Sequence, residues 1–520
     1  MKNQSRTHSP ACFPARKLLA LVVALGLTGC ASLQPEALKP ADILASTQAD
    51  KAVLNHNVEP LGSALSLEEA IARAIKYNAD RRLKAMEEAV AHGTFEAGNF
   101  DMLPKLVASA GYRYRNNDLI SRSQDSVTGQ PSLANPYISS SREALTTDLG
   151  FSWSLLDFGQ SYYAAKQNAD RVLVATERRR KALHNLIQDV RTAYWRVVAA
   201  EKLGGILRST LQDAEGALKN SRQAEAEQIR PPLEPLRYQR QLLENIRLLE
   251  VIEQELSTAR VELASLTNLP LSQPFKIVEP VSAVQAAWLN VPVENMEAHA
   301  LMLNPDLRES MYNARIAQQE TRRALLRLFP GISFNYALKN SNDSFLINQS
   351  WNEAGAQISF NLLGLLAAPA QMRLADAGVA LADQKRISTQ MAVLTQLHIA
   401  RLQYANASRQ FERADAIADV DTRIAEHIVN QEKAEKQTKL ERVSQQTASI
   451  LSVLRRYQAL SNAQAAASRL QATLGLEPLI EGSDRMPLKD LSAAVAQSLQ
   501  SWEAGKLPPL PEADTASAKE

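Results

Sequence analysis

The sequence Asn78-Ala79-Asp80 returns 226 positions later as Asn304-Pro305-Asp306. A second pair of landmarks, Leu103-Pro104 and Phe329-Pro330, has the same separation. Landmarks that recur in one order at a constant spacing indicate a tandem duplication, and overlooking it would lead to the wrong fold. The sequence therefore predicts one body that is made of two similar halves.

The ends of the two copies also correspond. Residues 264–271 read Ala-Ser-Leu-Thr-Asn-Leu-Pro-Leu, and residues 472–479 read Ala-Thr-Leu-Gly-Leu-Glu-Pro-Leu. Beyond about residue 482 the helical periodicity fades and prolines accumulate, which predicts a loosely held tail. The chain is accordingly divided into a signal peptide (1–29), an extended lipid-anchored tether (30–60), repeat 1 (61–285), repeat 2 (286–480) and a C-terminal tail (481–520).

Composition narrows the class of protein. The chain has 58 basic and 56 acidic side chains and a net charge of +2, so it lacks the strong positive field that would indicate nucleic-acid binding. Aromatic residues make up 5% of the chain, and only 19 residues are glycine. This composition favours long helices and coiled coils.

The N-terminus has the pattern of a targeting segment. Basic residues between Lys2 and Lys17 precede an apolar run at residues 18–27, which is too short to cross a bilayer but suits a signal peptide. The end of this run, Leu27-Thr28-Gly29-Cys30, resembles the lipobox of bacterial lipoproteins. The resemblance implies cleavage before Cys30 and acylation of that cysteine. The alternative is an ordinary signal peptide with an incidental cysteine.

Two neighbouring observations extend this interpretation. Ala31 stands where the lipoprotein pattern would place an aspartate for inner-membrane retention, so an outer-membrane destination is implied. The other cysteine, Cys12, lies in the removed segment. We therefore expect no disulfide, thiolate metal site or nucleophilic cysteine in the mature chain.

Each copy contains two segments in which apolar residues alternate with small or polar ones. This period of two predicts strands. An ordinary soluble sheet is one interpretation of such segments, and strands of a membrane barrel are the other, favoured by the aromatic content and the flanking helices. The predicted strands span about 104–116, 143–157, 331–340 and 353–363.

A very long helix follows each predicted hairpin. The first runs from about residue 160 to 228, which is on the order of 100 Å at the helical rise. Its apolar residues form a narrow seam, as expected for helices that pack side by side. Prolines at 231, 232 and 235 interrupt the first helical pair, and the second pair turns near residues 436–440.

Strand number decides how such a chain can close. Each copy supplies two strands, so one chain supplies four, whereas a barrel needs about eight even to enclose side chains. Unpaired strand edges are too costly in hydrocarbon. A closed homotrimer would supply about twelve strands without any new sequence. Both ends of each hairpin lead into helices on the same side of the membrane, so the barrel would continue as a tube of helices. The sequence therefore predicts a conduit.

The repeated motifs of this sequence resemble those of the TolC-like outer-membrane efflux proteins, in particular the lipidated, OprM-like members. The resemblance covers about residues 61–480. It rests on the two Asn-x-Asp motifs, on the Leu103-Pro104 and Phe329-Pro330 pairs that precede predicted strands, and on Trp153-Ser154-Leu155-Leu156-Asp157-Phe158-Gly159. The copies depart from each other at Asn361-Leu362-Leu363-Gly364, which stands where the first has Ser154–Gly159.

The resemblance implies a fold and a set of partners. The fold is mainly α with a small β part, a tandem-duplicated long-helix α-barrel plus four strands per chain in a trimeric transmembrane β-barrel. The implied assembly is a homotrimer in outer-membrane lipid that works with a periplasmic adaptor (membrane fusion) protein and an inner-membrane pump of RND or ABC type. It would export small molecules, such as drugs or metals, or serve type I secretion.

The two periplasmic turns are the predicted adaptor sites. Family members usually carry a glycine at each tip, but this chain has Glu227-Gln228-Ile229-Arg230 at one and Ala434-Glu435-Lys436-Gln437 at the other. The alternative is that these are merely solvated turn residues. The candidate adaptor-binding residues are Arg230, Leu233, Glu234, Lys436, Lys439, Leu440 and Glu441.

The sequence shows no pattern of a catalytic or metal site. Its histidines are scattered without zinc-ligand spacing, and neither an HExxH motif nor a P-loop occurs. We therefore expect no enzyme activity and no cofactor. The competing interpretation is a lipid-anchored periplasmic helical scaffold without a pore.

Overall fold

The computed structural model describes residues 36–131, 136–227, 233–279, 286–434, 438–478, 480, 482–483 and 485–510. It divides the chain into two units, residues 1–58 and 59–520. In the first unit the described residues include helix α1 (Pro40–Asn55), none of whose side chains is buried. The expectation of an extended tether is therefore wrong for residues 40–55, because this proline-started stretch has ordinary helix formers. Residues 30–35 of the predicted tether lie outside the described residues.

The second unit holds the remaining described elements. Its strands are β1 (Lys105–Tyr114), β2 (Ile120–Ser121), β3 (Tyr137–Ile138), β4 (Glu143–Ser154), β5 (Gly331–Ser341) and β6 (Ser350–Ser359). A 3-10 helix spans Ala286–Asn290. The helices are α2 (Leu67–Tyr77), α3 (Ala79–Phe100), α4 (Leu155–Ala226), α5 (Leu233–Ser257), α6 (Ala259–Thr267), α7 (Val293–Leu303), α8 (Pro305–Leu326), α9 (Gly364–Lys433), α10 (Lys439–Thr473) and α11 (Leu488–Glu503).

The duplication is visible in the length of matching helices. Helices α2 and α7 both have 11 residues, and α3 and α8 both have 22. The long helices α4 and α9 have 72 and 70 residues. The return helix is continuous in the second copy as α10, but in the first copy it is divided at Thr258 into α5 and α6.

The repeated asparagine makes the same two kinds of contact in both copies. The Oδ1 atom of Asn78 accepts from the backbone of Arg81 at 3.0 Å, and that of Asn304 accepts from Leu307 at 3.2 Å. Each asparagine thereby caps the 22-residue helix that follows it. The Nδ2 atoms donate to carbonyls at the ends of the return helices, Leu266 at 3.2 Å and Thr473 at 3.0 Å. The motif thus ties the start of each copy to its end.

The long helices pack through the seams that periodicity predicts. In α4 the buried side chains include Ile187, Val190, Tyr194 and Val197. The return path of the first copy buries Leu242, Ile246, Leu249, Ile252, Leu256, Ala259 and Leu263. Helix α10 buries Ile450, Leu454, Tyr457 and Leu460. These stripes bring α4 against α5 and α6, and α10 against both α4 and α9.

Four long strands form one antiparallel sheet in the order β1-β4-β5-β6. The helices that flank the sheet follow the same order, since α3 packs on α4, α4 on α8, and α8 on α9. One edge of both layers therefore belongs to the first copy, through β1 and α3. The other edge belongs to the second copy, through β6 and α9.

Two of the predicted strands have wrong limits. Strand β4 ends at Ser154 rather than near 157, because the Ser154 hydroxyl accepts from the backbone of Asp157 at 3.2 Å and starts α4. Strand β6 occupies Ser350–Ser359 rather than about 353–363. Its register with β5 pairs Asn340 with Ser350 and Gly331 with Ser359, which sets both of its limits.

The expectation of a loosely held tail from about residue 482 is also wrong. Helix α11 packs against α2 and buries Leu488, Leu491, Val495, Leu499 and Trp502. After it, the chain reaches the second copy, where His299 Nε2 lies 2.7 Å from the carbonyl of Pro508. This segment therefore contacts both halves of the repeat. The last part of the predicted tail, residues 511–520, lies outside the described residues.

No helix among the described residues combines the length and the apolar character needed to cross a bilayer.

Candidate functional site

The sheet has one polar face. Side chains of directly paired antiparallel residues share a face, and neighbours along a strand alternate. The register pairs Ser109 with Asp148, Asp148 with Lys339, and Lys339 with Trp351. Applied along all four strands, it places on this face Lys105, Ser109, Arg113, Thr146, Asp148, Ser152, Asn335, Lys339, Glu353 and Gln357.

The opposite face is apolar and rich in aromatic residues. It carries Leu106, Tyr112, Tyr114, Leu145, Leu149, Phe151, Trp153, Ile332, Phe334, Tyr336, Leu338 and Ile358. Most of these side chains are exposed in the single chain; Leu106 and Ile358, for example, are 67% and 72% accessible. Covering such a face with apolar surroundings gains about 25 cal/mol per Å².

Both long helical pairs turn at the end away from the sheet. Helix α4 ends at Ala226 and α5 begins at Leu233, while α9 ends at Lys433 and α10 begins at Lys439. Thr438 caps α10, because its hydroxyl accepts from the backbone of Glu441 at 3.2 Å. We call these two turns the tips.

A groove runs beside the tips between α4, α5 and α10. Its volume is about 830 Å³. The groove lies next to a hydrophobic cluster to which α4, α5 and α10 all contribute. Its lining includes Ala217, Ser221, Arg237, Tyr238, Lys439 and Leu440.

A buried group of charges joins the copies where the long helix α4 passes the end of α10. We call it the junction cluster: Glu177, Arg180, His184, Arg308 and Glu477. Arg180 lies 2.6 Å from both Glu177 and Glu477, Arg308 lies 2.8 Å from Glu177, and His184 lies 3.1 Å from Glu477. The two glutamate side chains are only 3% and 8% exposed.

The two glutamates of the junction cluster differ in their titration. Burial raises the pKa of Glu177 above its usual range, and the nearby arginines only partly offset this effect. Burial also acts on Glu477, but the neighbouring His184 imidazole and the charge of Arg180 outweigh it and lower the pKa. The fold therefore favours the charged form of Glu477 and disfavours that of Glu177.

Comparison with known proteins shows which of them have a similar sequence or fold. No profile of a protein family matches the chain. It is 24% identical over 340 residues to the probable outer membrane lipoprotein SilC of Salmonella typhimurium, over 63% of this chain and 68% of that protein. The solved outer-membrane channel OprN superposes with a TM-score of 0.61 at 16% identity, over 79% of this chain and 89% of that one.

A second solved structure, the CmeC outer membrane channel of Campylobacter jejuni, gives a TM-score of 0.60 at 12% identity, over 87% of this chain and 94% of that one. This chain has the TolC-like channel fold. The predicted fold class is thereby confirmed, as a mainly helical chain with a small sheet.

The TolC-like chain brings only some of the predicted site residues together. Lys439 and Leu440 line the groove beside the tips, and Leu440 is half-buried against the hydrophobic cluster. Leu233 is 58% exposed at the start of α5. Glu441 accepts a hydrogen bond from Gln445 within α10.

Other predicted site residues fall where the structure gives no description. Cys30, Arg230 and Lys436 lie outside the described residues. Glu234 lies in α5, but its side chain is not among those described. Their roles stay predictions.

Sequence reasoning missed Arg442, which connects three helices near the tips. Its Nη1 atom donates to Asp213 of α4 at 2.7 Å, and its Nε lies 3.8 Å from Glu432 of α9. The contact with Asp213 spans 229 positions, so no local pattern could have indicated it. Arg442 holds the tip of the second copy against the first.

Metal binding finds no support in the part of the chain that the structure describes. No three histidine, cysteine, aspartate or glutamate side chains there lie close enough to hold an ion.

Proposed function

We propose that this TolC-like chain is the outer-membrane channel of a tripartite efflux system, a passive conduit for small molecules. The observation that carries the proposal is the two-faced sheet with open edges. An apolar aromatic face suits hydrocarbon, and a polar face suits a water-filled lumen. The proposed location is the outer membrane, with the helices in the periplasm. The named functions of OprN and CmeC as channels, and of SilC as an outer-membrane lipoprotein, agree with this.

The strand edges support assembly into a closed ring. Strands β1 and β6 each have ten residues and each pairs on one side only among the described strands. Pairing β6 of one copy with β1 of the next would remove both edges, as hydrocarbon requires. Three copies give about twelve strands, which is enough to surround a lumen.

The helical layer carries matching unpaired surfaces. Helix α3 exposes an apolar stripe of Leu83, Met86 and Val90, which are 55%, 62% and 69% accessible. At the other edge, α9 exposes Leu381 beside a groove of about 850 Å³ between α8 and α9. A head-to-tail ring would place the α3 stripe of one copy against the α9 edge of the next.

Conductance and oligomeric state test the proposal together. The purified protein should run as SDS-resistant, heat-modifiable trimers and give stable single-channel currents in planar bilayers. Met86→Glu should lower the trimer fraction at least about tenfold, because it places a charge in the proposed apolar contact. Met302→Glu, on the 41% exposed side chain of α7, is the matched control and should leave trimers intact.

One outcome would contradict the proposed channel, and another would contradict only the proposed helical contact between copies. A monomer that carries no current would support the alternative, a lipid-anchored periplasmic scaffold without a pore. Normal trimers of Met86→Glu would remove the α3 stripe from the interface.

Further parts of the proposal concern anchoring and partners. Acylation of Cys30 would add a lipid anchor, and several acyl chains hold a protein far more firmly than one. The tips would bind a periplasmic adaptor that links the channel to an inner-membrane pump of RND or ABC type. A channel without catalysis draws its energy from that pump. Drugs, metals and other toxic compounds are the proposed cargo, with type I secretion as the alternative use.

Lys439 provides a test of the tips. It is exposed, lines the groove and stands at the first position of α10. If the groove binds an adaptor, Lys439→Glu should lower export of a fluorescent dye from cells several-fold, because it reverses a charge at the contact. Trimers and conductance should stay unchanged, since the Lys439 side chain is exposed and does not pack into the described core.

Lys489→Glu is the control for this test. Lys489 is also exposed and also lies in the first turn of a helix, but in α11, away from the tips. Wild-type export by both variants would show that Lys439 is merely a solvated residue of the turn.

A further inference from the structure

The turn between β5 and β6 lies at the end of the sheet that is away from the helices. Strand β5 ends at Ser341 and β6 begins at Ser350, whereas the helices join the sheet at its other end, as α4 does directly after Ser154. We call residues 342–349 the outer turn. In the proposed channel, whose helices are in the periplasm, this turn would lie at the outer mouth.

Asp343 attaches the outer turn to the β1–β4 hairpin of the first copy. Its Oδ1 atom accepts from the backbone and the hydroxyl of Ser141, at 3.0 and 2.8 Å, and from the backbone of Phe345 at 3.1 Å. Its Oδ2 atom lies 3.5 Å from Nη2 of Arg113. The Asp343 side chain is only 10% exposed. A carboxylate with this many donors fixes the position of its own turn.

Two further residues of the outer turn bind the same hairpin. The backbone of Ser344 donates to the hydroxyl of Ser141 at 3.1 Å. Asn342 donates its backbone N–H to the carbonyl of Leu145 at 3.2 Å, and its side-chain oxygen accepts from the backbone of Leu145 at 2.6 Å. The start of the outer turn is therefore part of the end of the sheet.

The ion pair with Arg113 shows on which face of the sheet the outer turn lies. The register places Arg113 and its direct partner Ala144 on the polar face. Because β4 lies between β1 and β5, a contact from Arg113 to Asp343 crosses β4 at the level of Ala144. Ala144 is 2% exposed, whereas the other residues of β4 are exposed or half-buried. The outer turn thus folds over the polar face.

Three consecutive apolar residues follow this anchored start of the outer turn. Phe345, Leu346 and Ile347 are 49%, 40% and 98% exposed. The backbone of Leu346 donates to the carbonyl of Asp343 at 3.0 Å, so the apolar segment stays beside the anchoring aspartate. The single chain therefore presents apolar side chains at the outer end of a face that is otherwise polar.

We propose that the outer turn forms an apolar constriction over the lumen at the outer end of the channel, and that Asp343 holds it there. The inference rests on the proposed function, because only a closed assembly turns the polar face into a lumen. Each copy would contribute its three apolar side chains to a ring around the exit. Apolar constrictions resist wetting and thereby limit the passage of ions.

Single-channel conductance of the full-length protein in planar bilayers tests the constriction. Combined replacement of Phe345→Ser, Leu346→Ser and Ile347→Ser should raise the conductance roughly 1.5-fold or more, because the ring becomes wider and wettable. This variant keeps Asp343 and the backbone donors that it binds. The matched control is Val127→Ser, at a 91% exposed residue between β2 and β3, which should leave the conductance unchanged.

A second substitution tests the hold on the outer turn. Asp343→Ala removes the acceptor that binds the turn to the hairpin, so it should raise the conductance by a similar factor. Asp125→Ala is its control. Asp125 also accepts from two backbone N–H groups, those of Val127 and Thr128 at 2.8 and 2.9 Å, but these belong to its own loop. SDS-resistant trimers of each variant would show that assembly is intact.

The outcomes separate the two levels of the proposal. No current from the wild type would overturn the proposed function and this inference with it. A wild-type current that does not rise in the triple serine variant would overturn the constriction alone, and one that does not rise in Asp343→Ala would overturn the role of that aspartate. A rise in both, without a change in Val127→Ser and Asp125→Ala, supports the inference.

Discussion

Gly475→Ala is expected to leave little folded protein. Gly475 follows the end of α10 and has a φ of +73°, a conformation that costs an L residue about 1–2 kcal/mol. A Cβ atom there would also lie 2.4 Å from the carbonyl oxygen of Leu303 and 2.5 Å from its carbon. These are backbone atoms at the end of α7, so they have little freedom to move aside.

The combined cost should be about 2–5 kcal/mol, since overpacking adds about 1–3 kcal/mol to the conformational cost of about 1–2 kcal/mol. The same close approach also serves the junction cluster, because Arg180 donates to the carbonyls of both Leu303 and Gly475 at 3.2 and 3.3 Å. Separating the two segments would therefore weaken both contacts. Circular dichroism on heating should show a clearly lower unfolding temperature, and SDS-resistant trimers should be lost.

Substitutions at two other glycines separate the cost of the positive φ from the cost of the close approach to Leu303. Gly482 has a φ of +68° but open space around a Cβ atom, so Gly482→Ala should cost only the conformational part. Gly204 lies inside α4 with nothing near, so Gly204→Ala should be neutral or stabilising. If Gly475→Ala unfolds at the same temperature as Gly482→Ala, the close approach to Leu303 is not the cause.

Glu477→Gln is expected to destabilise the protein far more than Glu177→Gln, although both residues belong to the junction cluster. The fold lowers the pKa of Glu477, so it favours the charge that this substitution removes. Breaking a buried ion pair by removing one partner costs about 3 kcal/mol or more. The fold raises the pKa of Glu177 and so disfavours its charge, and loss of that charge should therefore cost less than loss of the Glu477 charge.

The pH dependence follows from the same directions. Because the folded pKa of Glu477 is below its ordinary value of 4.5, its contribution is present above pH 4.5 and is lost as the pH falls through the folded pKa. The raised pKa of Glu177 has the opposite sign, since its contribution is present below pH 4.5 and is lost as the pH rises. The difference in unfolding temperature between wild type and Glu477→Gln should thus be largest near pH 7 and shrink in acid.

Unfolding curves of the two variants at pH 7 and in acid measure these differences. His184→Gln is a useful companion, because it removes the imidazole nitrogen that lies 3.1 Å from Glu477 without removing the carboxylate. Equal stability of Glu477→Gln and Glu177→Gln at pH 7 would contradict the assignment of opposite roles.

Local patterns sufficed for much of the fold. The helical seams, the alternating strands and the duplication all follow from spacing along the chain, because burial on one side repeats with the period of each element. Helix α11 was within reach of the same reasoning, since its buried residues Leu488, Leu491, Val495, Leu499 and Trp502 recur at helical spacing. The prolines around it led to the wrong expectation of a loose tail.

The candidate sites depended much more on long-range contacts. Arg442 meets Asp213 across 229 positions, and Arg180 meets Glu477 across 297. The polar face of the sheet requires the register of four strands from both copies, and a shift of one residue in any strand would send its side chains to the other face. The predicted tip residues Lys439 and Leu440 both line one groove. The other residues that line this groove belong to α4 and α5, and only the packing of these helices beside α10 identifies them.

The sequence by itself determined that the chain is a duplicated set of long helices and short strands, because periodicity and repeated landmarks are properties of neighbouring residues. The number of strands that it predicts also indicates that one chain cannot close a barrel by itself. Only the tertiary structure decided which charges meet in the junction cluster, which carboxylate has a lowered pKa there, and which side chains share the polar face of the sheet. These depend on the register and packing of segments some 40 to 300 residues apart, and no local spacing records them.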